Sequence, residues 1–316
     1  MKKTTILVLA LVPALLLASG LKLKVSFLED TVLPVEPIWI QVTALNSSAK
    51  PLQVPDIARY YPGDLLFYDL RSSSGQRYGV RLTMEQYPTP SWRRATLAPG
   101  ESLVSGLWQV RYSVGNATRI ETGPVGALPP GEFTVRVSWQ TDRVADFADS
   151  SAPATLTLRE PDSSEKAAEE LYERVDLYVT TTHSYFPDSR GQVESTTRQM
   201  IAESVAEPFR PLAKIALFTS FRSRLIGPEA HLTKPEDITA WKDSAGSAYL
   251  DVVHSYPNSP HVQVLLRYPY LSEIEGDYAH ERLLAELIAD YPGTRAALEA
   301  ARQLSGGAKP TGRKYK

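Results

Sequence analysis

Cysteine is absent from these 316 residues. That excludes a disulfide framework, a thiolate nucleophile, a cysteine-ligated metal and an acylated cysteine. Stability must come from buried apolar side chains, and 43% apolar residues suffice for a core. Also missing are a glycine-rich phosphate loop, an HExxH pair, an acidic calcium loop and a GxSxG elbow. The five histidines, His183, His231, His254, His261 and His280, never stand four apart, which excludes a zinc-binding pair on successive helical turns. No cofactor or metal is therefore expected. An excess of either charge is lacking as well, 34 Lys and Arg standing against 36 Asp and Glu for a formal net of −2, and no clustered basic face points to nucleic acid. Residues 161–304 hold 14 Lys and Arg against 22 Asp and Glu, and residues 305–316 hold 4 against none.

Apolar runs long enough to span a bilayer are lacking too. The longest, Thr4 to Leu17, follows Lys2 and Lys3 and precedes the small residues Ala18 and Gly20. That pattern predicts a signal peptide over 1–20 and an exported protein, periplasmic or extracellular and soluble once cleaved. With a leader of bacterial type, the sequons at Asn46 and Asn116 are read as chance.

What is present divides the chain. Ala154, Leu156 and Leu158 alternate with polar neighbours as a half-buried strand does. Pro161 ends that strand, and Asp162 with Glu165 has the spacing of a capping box. A helical stripe follows at Ala168, Leu171, Tyr172, Val175, Tyr178 and Val179. Residues 21–160 are thus expected to be β and 161–304 α, with a disordered basic tail at 305–316.

Before the switch, alternation predicts strands at Leu21–Phe27, from Ile38 to a turn at Asn46, at Leu65–Leu70, Tyr78–Leu82 and Phe133–Trp139, with a mixed apolar segment from Leu103 to Tyr112. Ser72–Gly75 predicts a hairpin. Seven or so strands with Pro and Gly turns argue for an antiparallel sandwich. The run Glu36-Pro37-Ile38, the turn Leu97-Ala98-Pro99-Gly100-Glu101 and Leu128-Pro129-Pro130-Gly131-Glu132-Phe133 resemble the immunoglobulin-like domains of bacterial secreted proteins. Macroglobulin-type and proteinase-inhibitor domains are similar. The resemblance implies a fold and no activity.

Past Asp162, helices are predicted at Gln192–Val205, Phe209–Leu225, Pro235–His254, Pro260–Arg267, Asp277–Ala289 and Thr294–Leu304. Val252 to Ser259 matches Leu287 to Thr294 at an offset of 35, each copy ending a helix at Tyr-Pro and offering Ser or Thr as the next cap. With Ala245, Tyr249 and Val252 before Pro257, and Leu284 and Leu287 before Pro292, this resembles tetratricopeptide repeats. His280 and Pro269 depart from the pattern. The resemblance implies helical hairpins and a groove for a protein or peptide.

The candidate contact residues are Tyr256, Tyr268, Tyr270, Tyr278 and Tyr291, from a chain with 16 tyrosines, and Trp92, Arg93 and Arg94 in a Pro-rich loop. Tyrosine suits such a groove because it buries a large area at low entropic cost. Packing inside the hairpins is the competing reading. The function expected is a non-catalytic protein-binding or scaffold module of the bacterial cell envelope. Two others stand beside it: a hydrolase with an inter-domain site using His183 or His231, and a proteinase inhibitor acting through Tyr87 to Arg94. Ser163 to Lys166 matches SxxK, but on a helix start, where capping accounts for it.

Overall fold

The structure, a computed structural model, describes residues 20–34, 36–58, 65–82, 94–105, 108–114, 128–139, 150–166, 168, 195, 197–199, 202, 209–226, 234–267, 270–276 and 278–305. Its N-terminal part is β and its C-terminal part helical.

Alternation builds the sheet. Strand β1 (Leu21–Phe27) buries Leu21, Leu23 and Val25 and exposes Lys22 and Lys24. It pairs antiparallel with β3 (Ile38–Asn46), whose Ile38, Ile40, Val42 and Ala44 turn the same way. The expected hairpin is β5 (Leu66–Ser72) and β6 (Arg77–Leu82), closed by Gly75 at φ 85°. Strand β9 (Trp108–Val114) joins β3 to β6, while β10 (Gly131–Trp139) joins β5 to β11 (Ala154–Leu158). The segment expected from Leu103 to Tyr112 is divided between β8 (Ser102–Val104), which pairs with β3, and β9. Two short strands, β4 (Leu52–Pro55) and β7 (Arg94–Leu97), form a separate ladder.

The path runs β1-β3-β9-β6-β5-β10-β11 and ends on β2 (Thr31–Val32). Strand β1 also packs against β10 and β11, so the sheet doubles over one core that includes Ile40, Val42, Leu70, Phe133, Val137 and Leu156. An all-antiparallel arrangement was expected, and β2 corrects it by running parallel to β11. The reason is short connection: after β1, three residues carry the chain across to the other end of the path. There the Asp30 and Val32 carbonyls accept from the Thr157 and Arg159 amides. Asn46 is fully buried and its amide donates to the Lys50 and Leu97 carbonyls, so that sequon presents no reachable nitrogen.

At the β-to-α switch the capping box forms as the spacing requires. Asp162 Oδ1 accepts from the Ser164 and Glu165 amides at 2.8 and 2.9 Å, and Glu165 Oε2 accepts from the Asp162 amide at 2.9 Å. Arg159, at the end of β11, adds a fork to both Glu165 oxygens at 2.7 and 2.5 Å. That bond is the main reason the Glu165 carboxyl lies below its usual range. Replacing Glu165 with alanine should cost about 1 kcal/mol, the usual worth of a lost cap, and thermal unfolding at pH 7 and pH 3 checks it. The loss should shrink at pH 3, because a depressed carboxyl contributes fully above its unfolded value and loses that contribution as pH falls through its folded one.

The helices are α1 (Phe209–Ile226), α2 (Pro235–Ser255), α3 (Pro260–Leu266), α4 (Tyr270–Glu275), α5 (Ala279–Asp290) and α6 (Arg295–Leu304). Five follow the predicted spans within a few residues, and α4 was not foreseen. Of the helix expected over Gln192–Val205, residues 195, 197–199 and 202 are described and helical. The helices share a core built on Phe218, Tyr249, Val252, Leu266, Leu283 and Leu287. No helix among the described residues is long and apolar enough to cross a membrane.

Tyr278 caps α5 at φ 73°, ψ −10° with no side-chain bond and 71% of its surface exposed. Only glycine takes that left-handed region freely, and other residues lose about 1 kcal/mol there. Tyr278→Gly should therefore leave stability unchanged or raise it by up to about 1 kcal/mol, as measured by urea unfolding.

Candidate functional site

The sequence self-match is a match of backbone turns. Tyr256, at the end of α2, has φ −132°, ψ 52° and donates its N–H to the Val252 carbonyl. Tyr291, at the end of α5, has φ −127°, ψ 50° and donates to Leu287 in the same way. Proline follows each and stops the helix. Ser259 Oγ then accepts from the His261 amide, and Thr294 Oγ1 from the Ala297 amide, capping α3 and α6.

The two turns are also neighbours. The Ala296 amide donates to the Pro257 carbonyl at 2.9 Å. Tyr291 Oη lies 3.2 Å from His254 Nδ1, with the rings 5.7 Å apart, and His254 Nε2 is 3.6 Å from Glu286. Lys214 of α1 sits 5.3 Å over the Tyr256 ring and 2.6 Å from Asp251. The result is a ridge of two stacked turns with half-buried tyrosines. A cleft of about 370 Å³ lies beside it, between Pro211 and the Ser255–Pro260 turn.

The candidate tyrosines thus have separate places. Tyr256 and Tyr291 stand on the ridge, and Tyr278 is exposed at the start of α5. Tyr270 packs inward, 5.4 Å from Phe218 and 6.5 Å from Tyr249, with the Arg222 guanidinium 4.2 Å over its ring. Tyr268, Trp92 and Arg93 lie outside the described residues, as do His183, His231 and the Tyr87–Ser91 loop. Arg94 is exposed on β7 opposite Pro55. Ser163 and Lys166 are exposed on the turn that Asp162 caps.

Three polar groupings had no recognised sequence signal. Glu36 Oε1 meets His261 Nε2 at 3.5 Å, both side chains being buried, and Arg295 pairs with Glu29. These contacts join the sheet half to the starts of α3 and α6. The third lies within the hairpins around Glu299, whose side chain is 1% exposed. Burial pushes its carboxyl up, yet bonds from Arg302 and Gln303 and the charge of Arg267 outweigh this and hold it below the usual range. Gln303 Nε2 donates to Glu299 and to the Leu266 carbonyl, which turns its oxygen toward His280 Nε2. Burial pushes the His280 imidazole down. The neutral ring therefore carries its proton on Nε2. Among the described residues no three His, Asp or Glu side chains gather as metal ligands would.

No protein-family model matches the chain, and no curated protein matches it. Among solved structures, a beta-glucosidase from Listeria innocua in complex with gluconolactone is 14% identical over 44% of this chain, with a TM-score of 0.22. The match spans 16% of that enzyme's chain. At that score it carries no argument about fold or activity.

Proposed function

We propose that this chain is a non-catalytic protein-binding module of the bacterial cell envelope, in which an immunoglobulin-like sandwich carries tetratricopeptide-like hairpins. The partner is an extended protein segment held along the stacked-turn ridge. The observation that carries this reading is the duplicated turn: one backbone geometry occurs twice, 35 residues apart, and the copies are hydrogen-bonded to each other. Stacked repeats of this kind present a continuous surface to partners.

The sheet order supports the sandwich. With the short strands β2, β4, β7 and β8 set aside, the seven remaining strands lettered in chain order give A-B-E-D and C-F-G groups, the constant-type immunoglobulin arrangement. The leader-like pattern of residues 2–20 supports export.

The test is charge placed on the ridge. Full-length chain and an Asn258→Arg, Asp290→Arg variant, both altered residues being exposed, are immobilised and challenged with envelope extract. One dominant protein should be retained by the first and fall roughly tenfold on the second, the loss expected when interface charges are mismatched. Equal retention overturns the reading.

A further inference from the structure

The last helical layer carries a second surface, beside the ridge and independent of it. Of the seven large hydrophobic side chains exposed among the described residues, four stand on α5 and α6 or at the start of α5: Tyr278 (71%), Leu298 (64%), Leu304 (47%) and Ile288 (38%). Such a concentration on one layer marks a contact surface, where scattered exposed residues would not. Helical spacing gathers them. The buried stripe of α5 runs through Leu283 and Leu287, and Tyr278, Glu281, Ala285 and Ile288 lie on the opposite side, all exposed. The buried stripe of α6 runs through Ala296 and Ala300, with Leu298, Ala301 and Arg302 exposed on the other side. The two helices form an antiparallel hairpin over one core, so both outward stripes share a face.

One copy earlier in the repeat, the equivalent positions are covered. At the offset of 35, Ile288 corresponds to Val253 and Ala301 to Leu266, and both earlier residues are fully buried. The next hairpin lies against that copy: Gln303 of α6 donates to the Leu266 carbonyl, and Arg267 reaches Glu299. In the second copy the same positions are open to solvent. A repeat unit buries a face on its neighbour, and a unit without one keeps that face in water. The pattern across this face is self-complementary. A twofold axis running between α5 and α6, parallel to both, lays α5 of one copy antiparallel over α6 of the other. Counted from the Tyr291–Thr294 turn, Ile288 then meets the partner's Leu298, Ala285 the partner's Ala301 and Tyr278 the partner's Leu304. Glu281 comes beside the partner's Arg302, which is 46% exposed even with its bond to Glu299. Small residues in the middle let the helices approach, apolar pairs stand at both ends, and the charges that meet are of opposite sign. By symmetry each contact occurs twice.

We propose that two copies of this chain associate face to face through α5 and α6 as a twofold dimer. Helices of 12 and 10 residues, about 18 and 15 Å long and side by side, present roughly 350 Å² per copy. The total of about 700 Å² falls below the ~1,200 Å² of a stable complex. The dimer is therefore a weak one that forms as concentration rises.

The test is sedimentation velocity of the full chain from micromolar to near-millimolar concentration. The mass should rise from monomer toward dimer, and Leu298→Arg should weaken the association roughly tenfold or more by placing an unpaired charge in the contact. Leu298 is exposed in the single copy, so the variant should fold as wild type does, which thermal unfolding at micromolar concentration checks. The absence of cysteine allows the geometry to be read separately. Chains carrying Ile288→Cys and chains carrying Leu298→Cys are mixed and treated with a short bis-maleimide. The mixture should link far faster than either chain with itself, since each position meets the other across the axis. A mass that stays monomeric at every concentration overturns the proposal. So does equal linking in the mixture and in the two separate chains, or a Leu298→Arg chain that associates like wild type. The ridge variant should dimerise normally, and Leu298→Arg should still retain the envelope protein, so failure here and failure of the ridge reading are distinguishable.

Discussion

Replacing Tyr249 with alanine should cost the helical half about 4 kcal/mol, the range found when a buried aromatic ring is deleted. Tyr249 has no exposed surface, and its ring meets Phe218 edge-on at 5.2 Å and Tyr270 at 6.5 Å. Phe218 in turn lies on α1, so the ring ties α1, α2 and α4 together. Its buried hydroxyl has no hydrogen-bond partner among the described residues. Burial, with the neighbouring Tyr270, pushes the phenol far above its ordinary value, so the group stays neutral. Tyr249→Phe should then be neutral or stabilising by up to about 1 kcal/mol, since removing an unsatisfied buried polar group relieves its desolvation. Urea unfolding of both variants checks the pair. Equal losses would mean that the hydroxyl, and not the ring, supports the core.

Glu299→Ala should cost about 3–5 kcal/mol, because one partner of a buried charged network is removed while the others stay. Arg267, 16% exposed, would lose the carboxylate 3.4 Å away, and Arg302 and Gln303 would lose theirs. Glu299→Gln keeps the shape without the charge and should lose less. The pH dependence has a definite sign. A carboxyl held below its unfolded value of about 4.3 stabilises above that pH and loses its contribution as pH falls through the folded value. His280, also lowered, acts in the same direction from a higher start: its contribution declines as pH falls below about 6.5. Wild type should therefore weaken in two acid steps, and the lower one should be smaller in Glu299→Ala, where Glu165 still contributes to it.

The features legible in sequence were local ones. The β-to-α switch at Asp162 and the repeated Tyr-Pro turn are set by residues within a few positions of each other, through caps and proline geometry. Alternation located β1, β3, β5, β6, β10 and β11 for the same reason. Strands β2, β4 and β7 span two to four residues, too few for alternation to register. Helix α4 follows so closely on Pro269 that its stripe merged with its neighbours. The Glu36–His261 and Glu29–Arg295 contacts join residues more than two hundred positions apart, which no local pattern encodes. Glu299 did leave a mark, standing beside Ala296 and Ala300 on the buried stripe of α6. A carboxylate there requires cations nearby, and Arg302 is one turn away.

Among the candidate contact residues, the sequence aligns Tyr256 with Tyr291 because each precedes the proline that stops a helix, and the two share one backbone geometry. It had no means of separating them from Tyr270. Spacing marks the face of a helix, whereas the side on which Phe218 and Arg222 arrive depends on α1, far earlier in the chain.

The most direct measurement is crosslinking of the full chain in cells that make it, with the joined residues identified by mass spectrometry. The account predicts one dominant envelope protein linked through residues of the stacked-turn ridge, around 254–260 and 286–295. Links only from the sheet half, or none above background, would contradict a ridge that binds a partner.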